Sequence, residues 1–273
     1  LGDVYKRQEI TLLEVHSDGI VRPEELEAAI RDDTALVTIM YANNEIGTIQ
    51  PIPELAAVCK KHKVLFHTDA VQAVGNVPID VKAQGIDLMS FTGHKIHGPK
   101  GCGALYIRRG VRLQNLIDGG AQERSRRAGT ENTAGIVGLA AAVKEATKDI
   151  PGRVARLTKL RDKLIAGASK IDRSHLNGHP TKRMAGNFNM CFEGIEGESL
   201  LLSLDLKGVC GSSGSACTSG SLDPSHVLLS LGMPHEIAHG SLRLTLSDEN
   251  TEEDVDYILA VSYTHLTLPT NSR

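Results

Sequence analysis

The chain has 273 residues, of which 41% are hydrophobic, with five cysteines and a formal net charge of −3. Such a length can bury one large core or two modest ones. The slight acidic balance excludes the basic excess of a dedicated nucleic-acid binder, and no apolar run reaches membrane-spanning length. The cysteines at 59, 102, 191, 210 and 217 form no CxxC pair and no disulfide framework, so the expected setting is cytoplasmic, with small molecules or proteins as partners.

In chain order, residues 1–8 lack the apolar stretch of a signal peptide and are expected to be a non-native tail. Residues 35–41 (ALVTIMY) read as a buried strand and Ile52–His62 as a helix with Pro53 near its start. Further strands are expected at Val64–Asp69, Ile86–Phe91 and Ala104–Ile107. Alternating runs of this kind predict an α/β layer with a mainly parallel sheet over residues 9–150. Helices are expected at Asn132–Thr147 and Val154–Ala168, with Pro151-Gly152 as the boundary between domains. Residues 151–260 then read as a smaller α+β domain, with a strand at Asn187–Phe192 and a helix at Glu198–Leu206. Beyond Ala260 the amphipathic pattern stops without a cap, and residues 261–273 read as a second non-native tail.

Two features point to chemistry. Cys217 stands in Ser213-Gly214-Ser215-Ala216-Cys217-Thr218-Ser219, among hydroxyls and backbone N–H groups that can stabilise a thiolate. On that segment alone, an incidental thiol in a flexible linker is an equal alternative. The second feature is a set of polar strand ends: Asn43-Asn44-Glu45, Asp69 with Gln72, and Thr92-Gly93-His94-Lys95. Ligands of open α/β sheets collect at such ends. A lysine, a carboxylate and several hydrogen-bond donors match the needs of pyridoxal phosphate: a covalent anchor, a partner for the pyridine nitrogen and a phosphate cradle. Asp69 and Lys95 are 26 residues apart, about one helix and one strand. Taken singly, Asp69 and Thr130 read as helix caps and Lys95 as a solvated charge. His94 and His97 are spaced like a metal pair, but Lys95 and Gly98-Pro99 argue against a ligand helix, so no metal is expected.

In order along the chain, Tyr41–Thr48 (YANNEIGT), Phe66–Gln72 (FHTDAVQ), Ser90–Gly101 (SFTGHKIHGPKG), Arg127–Asn132 (RAGTEN) and Ser213–Ser219 (SGSACTS) resemble the NifS/IscS cysteine desulfurases. These form the class V branch of the aspartate aminotransferase fold, a pyridoxal-phosphate-dependent transferase fold. The resemblance implies that Lys95 links covalently to the cofactor, Asp69 partners the pyridine nitrogen and Gln72 reaches the ring hydroxyl. It implies that Thr92 and His94 bind the phosphate and that Thr130 reaches the phosphate of a neighbouring subunit in a homodimer. Asn44 and Arg243 would hold the carboxylate of L-cysteine, and Cys217 would take its sulfur as a persulfide, leaving L-alanine. The persulfide would pass to an acceptor protein such as an iron–sulfur scaffold. Family members also carry an N-terminal phosphate loop and a ring-stacking histidine that nothing here matches, so a fragment of impaired activity is expected. The alternatives are a selenocysteine lyase or other class V aminotransferase, and a non-catalytic iron–sulfur scaffold or sulfur carrier.

Overall fold

The computed structural model describes residues 8–213 and 224–266. They divide into two compact units: one comprises 34–41 and 52–151, the other the described parts of 1–33, 42–51 and 152–273. Among the described residues no helix is long and apolar enough to cross a membrane.

The first unit is built on a four-stranded sheet ordered β1 (Leu36–Met40), β2 (Leu65–Asp69), β3 (Leu88–Thr92) and β4 (Gly103–Ile107). The first three strands are parallel and β4 is antiparallel to β3, so the sheet is mixed and mainly parallel, as expected. Strand β2 explains the layering. Phe66 and Thr68 are fully buried, whereas Leu65, His67 and Asp69 alternate onto the other face and stay half-buried. Helix α2 (Ile52–Lys61), a neighbour of β2, buries Ile52, Leu55, Ala56 and Cys59, the spacing of one helical stripe. Helix α3 (Thr133–Ala146) is capped by the Asn132 side chain, which accepts from the Gly135 N–H at 3.1 Å. The cap is therefore Asn132 and not Thr130.

The second unit contains helix α1 (Pro23–Ala29) and an antiparallel sheet of β5 (Ser174–Leu176), β6 (Asn187–Phe192) and β7 (Ser241–Thr245). Every residue of β6 is buried. Phe188, Met190, Phe192 and Leu242 join one core with Leu157, Leu160 and Leu164 of α4 (Ile150–Ala168), Leu200 and Leu204 of α5 (Gly197–Asp205) and Val255 of the last helix. Two short helices, α6 (His226–Ser230) and α7 (His235–Ala238), precede β7, and α8 (Glu252–Leu266) ends the described chain.

The two units part between Pro151 and Gly152, at the expected boundary, although both residues lie in the first turn of α4, where the missing proline N–H is no loss to the helix. Two expectations need correction. Helix α8 does not stop at Ala260, for Val261 and Ser262 are buried and the Tyr263 hydroxyl donates to the Gly167 carbonyl at 2.9 Å. Residues 42–51 and the described part of 9–33 belong to the second unit, not with 52–150. Backbone bonds from Ile49 N–H to Lys182 and from Met184 N–H to Gly47, each 2.9 Å, tie the hairpin of 42–49 to the segment before β6. Gly47 takes φ of +75° at its tip, where a Cβ would meet Asn187 Cγ at 2.5 Å.

Candidate active site

Asp69, Gln72, Thr92, His94, Lys95 and Thr130 fall in the first unit, Asn44 and Arg243 in the second, and Cys217 lies outside the described residues.

In the first unit, the register fixes the arrangement. Asp69 ends β2 opposite Met40 on β1 and Ser90 on β3. Thr92, two residues beyond Ser90, lies on the same sheet face. The chain then makes a 3₁₀ turn, Gly93–Lys95, which leaves His94 and Lys95 exposed beyond the carboxyl end of the strand. Asp69 Oδ1 accepts from the Val71 N–H at 2.9 Å, and its Oδ2 has no hydrogen bond among the described residues. The Thr92 hydroxyl donates to the Cys102 carbonyl at 3.2 Å and lies 2.8 Å from His94 Nδ1. A hydroxyl has one proton, so with that proton on the Cys102 carbonyl the Thr92 oxygen accepts from His94 Nδ1–H. The Lys95 amine makes no hydrogen bond or ion pair among the described residues. Gln72 is half-buried in the turn after β2, and Thr130 is exposed two residues before the α3 cap.

Small residues hold this turn in place. A Cβ on Gly98 would come within 3.0 Å of Ala142 on α3, one on Gly138 within 2.6 Å of Pro99, and one on Gly135 would land on Cys102 Sγ. The glycines of α3 therefore let the helix backbone approach the 93–102 turn.

In the second unit, Asn43 closes the hairpin by accepting from the N–H groups of Glu45 at 2.8 Å and Ile46 at 3.0 Å. The Arg243 guanidinium, half-buried on β7, donates to the Asn44 carbonyl at 3.1 Å, which brings the two predicted carboxylate-binding residues together. Its backbone forms a bridge with Ser212. Glu45 is buried, and its carboxylate accepts from the Ser225 hydroxyl at 2.5 Å.

Sequence reasoning assigned no role to His67, Ser90, Glu45 or Ser225. The first two carry a usable signal, since His67 precedes Asp69 by two residues and so shares its sheet face. Glu45 and Ser225 are 180 residues apart, and no local pattern joins them. The thiols of Cys59 and Cys191 are pushed up to about 11 by burial, which keeps both protonated at neutral pH.

Comparison with known proteins gives a consistent picture. A family model described as aminotransferase class-V matches residues 4–258. A cysteine desulfurase IscS from Methanosarcina thermophila is 61% identical over 253 residues, 93% of this chain and 63% of that protein. The chain thus spans less than two thirds of that relative. Among solved structures, a NifS-like protein from Rickettsia africae superposes with a TM-score of 0.86 at 31% identity, over 96% of this chain and 71% of that one. The structure of SspA in complex with cysteine gives 0.74 at 35% identity, over 87% and 66%. The aspartate-aminotransferase-type α/β architecture and the ordered strand-end motifs agree with these matches, and the chain belongs to the aminotransferase class-V family.

Proposed function

We propose that the chain is part of a pyridoxal-phosphate-dependent cysteine desulfurase, converting L-cysteine to L-alanine and passing the sulfur through a persulfide on Cys217. The observation that carries the reading is the sheet face on which Asp69, Ser90 and Thr92 lie together, followed directly by His94 and Lys95. The donor set suits the cofactor. Asp69 offers an uncommitted carboxylate oxygen, Lys95 an exposed amine, and Thr92 with His94 a hydroxyl and an imidazole at one strand end. The relatives' names, and the cysteine held by SspA, favour L-cysteine as substrate.

When bound, pyridoxal phosphate supplies the electron sink for bonds broken at the substrate Cα. Asp69 would bind the pyridine nitrogen and keep it protonated, and Gln72 would donate to the ring hydroxyl. Thr92 and His94 would take the phosphate, with Thr130 serving that of a partner subunit in a homodimer. Lys95 would carry the covalent link and then move the Cα proton. Arg243, with Asn44 beside it, would bind the substrate carboxylate. The Cys217 thiolate would attack the substrate sulfur, so that an S–S bond forms and the C–S bond breaks. The carbon takes a proton to become alanine, leaving a persulfide for an acceptor such as an iron–sulfur scaffold protein. A cytoplasmic setting fits free thiols without a disulfide framework.

The test is borohydride reduction of the chain after addition of pyridoxal phosphate, with peptide mapping. A reduced adduct on Lys95 in wild type and its loss in Lys95→Ala is the expected result; labelling elsewhere, or none, overturns the assignment. Alanine formation from L-cysteine that persists in Cys217→Ala would identify a different class V reaction.

A further inference from the structure

The sheet face that carries Asp69 also holds a polar chain with no part in the steps above. His67 precedes Asp69 by two residues on β2 and projects from the same face. Its Nδ1 lies 2.7 Å from Thr38 Oγ1 on β1, and its Nε2 lies 3.2 Å from Ser90 Oγ on β3. Ser90 is in turn the register partner of Asp69. The ring thus spans three strands. The charged group acting on it is Asp69 on its own strand, while β1 and β3 meet it with hydroxyls.

Resting on the cofactor reading above, we infer that His67 is a positioning residue for Asp69: by engaging the Ser90 hydroxyl, the imidazole keeps that hydroxyl off the Asp69 carboxylate and reserves Oδ2 for the pyridine nitrogen. Asp69 Oδ1 is already taken by the Val71 N–H. A hydroxyl turned onto Oδ2 would draw off charge and weaken a charge-assisted bond to a protonated ring nitrogen. Ser90 is the neighbour placed by register to do so; in the Nδ1–H tautomer that we assign to His67, Nδ1–H donates to Thr38 Oγ1 and Nε2 accepts the Ser90 proton, which is then not available to Asp69. Burial of the imidazole holds its protonation below the ordinary imidazole range, against the pull of Asp69, which favours the neutral ring over a cation paired with the carboxylate.

The test uses the full chain, titrated with pyridoxal phosphate and followed by fluorescence, together with the ¹⁵N shift of the labelled pyridine nitrogen. Circular dichroism of each variant sets the folded fraction. His67→Leu frees Ser90 and should weaken binding roughly five- to tenfold, the equivalent of one neutral hydrogen bond, with the ¹⁵N shift moving toward the unprotonated ring. His67→Gln, whose amide can meet both hydroxyls, should stay near wild type. Removing the competing hydroxyl as well, in His67→Leu/Ser90→Ala, should recover most of the loss, which a merely structural role for His67 would not produce. Wild-type affinity in His67→Leu, or a double variant no better than it, overturns the inference. If Asp69→Asn binds as tightly as wild type, the cofactor reading itself falls. If Asp69→Asn weakens binding and His67→Leu does not, only the positioning role falls.

Discussion

The hydroxyl of Ser225 donates to the carboxylate of Glu45, a side chain only 1% exposed, and the same oxygen accepts from the Val227 N–H at 3.1 Å. One serine therefore caps α6 and partners a buried charge.

Ser225→Ala removes both bonds and leaves the carboxylate without a partner among the described residues. An expected loss of about 2–4 kcal/mol combines a lost cap with an unpaired buried acceptor. Urea titration should show a lower midpoint for Ser225→Ala and a smaller drop for Ser225→Thr, which keeps the hydroxyl. An unchanged midpoint in Ser225→Ala would show that the contact contributes nothing.

His67 also predicts a pH dependence. Burial lowers its folded-state value from the ordinary 6.5, with Asp69 pulling weakly the other way. Below pH 6.5 the unfolded chain therefore binds the proton more readily than the folded one, so stability is full above that pH and falls as the solution is acidified. Replacing His67 with Gln should flatten the wild-type decline between pH 7 and the folded-state value in thermal melts. Carboxylates such as Asp80 and Asp254, also lowered in the folded state, lose their contribution at more acid pH, so the two effects separate. Parallel curves for wild type and His67→Gln would refute the assignment.

The cysteines should differ in reactivity. With Cys59 and Cys191 pushed up to about 11, only about one in a few thousand is thiolate at pH 7.5, and both are buried. Brief iodoacetamide treatment of the native chain, followed by mass spectrometry, should leave these two unmodified while exposed Cys210 is labelled. Labelling of Cys59 before unfolding would contradict the buried placement.

Gly135→Ala should force α3 away from the 93–102 turn, since its Cβ would occupy the position of Cys102 Sγ. A loss of about 1–3 kcal/mol is expected for such overpacking. Cys102→Ala in the same chain should restore part of it by vacating the sulfur position. Melting temperatures of the single and double variants decide the matter; full additivity would show that the two side chains do not share the space.

Much of the first unit was legible because apolar runs ending in polar residues mark parallel strands whose tips hold ligands. Asp69 and Thr92 do end β2 and β3, and Asn187–Phe192 is a strand over its expected span. What escaped was set by partners far off in sequence. The assignment of 42–51 to the second unit rests on bonds such as Arg183 Nη2 to the Ile46 carbonyl at 3.0 Å, across 137 residues. Arg183 is nearly inaccessible and bonded mainly to carbonyls, its value lowered to about 10 by burial and by neighbouring Arg161. Nothing in the local pattern around an arginine announces that it will be buried. The continuation of α8 to Leu266 is similar, because Tyr263 packs on a core built from residues near 160, 190 and 200.

The hairpin at 42–51 has a consequence for synthesis. Its partners Lys182, Arg183, Met184, Asn187 and Arg243 leave the ribosome long after it. The unit of 34–41 and 52–151 can close once residue 151 has emerged, whereas the other must wait for the last strand. Until then the Asn44 carbonyl and the Glu45 carboxylate have only water for partners, so the hairpin's polar interior depends on the order in which the chain is made.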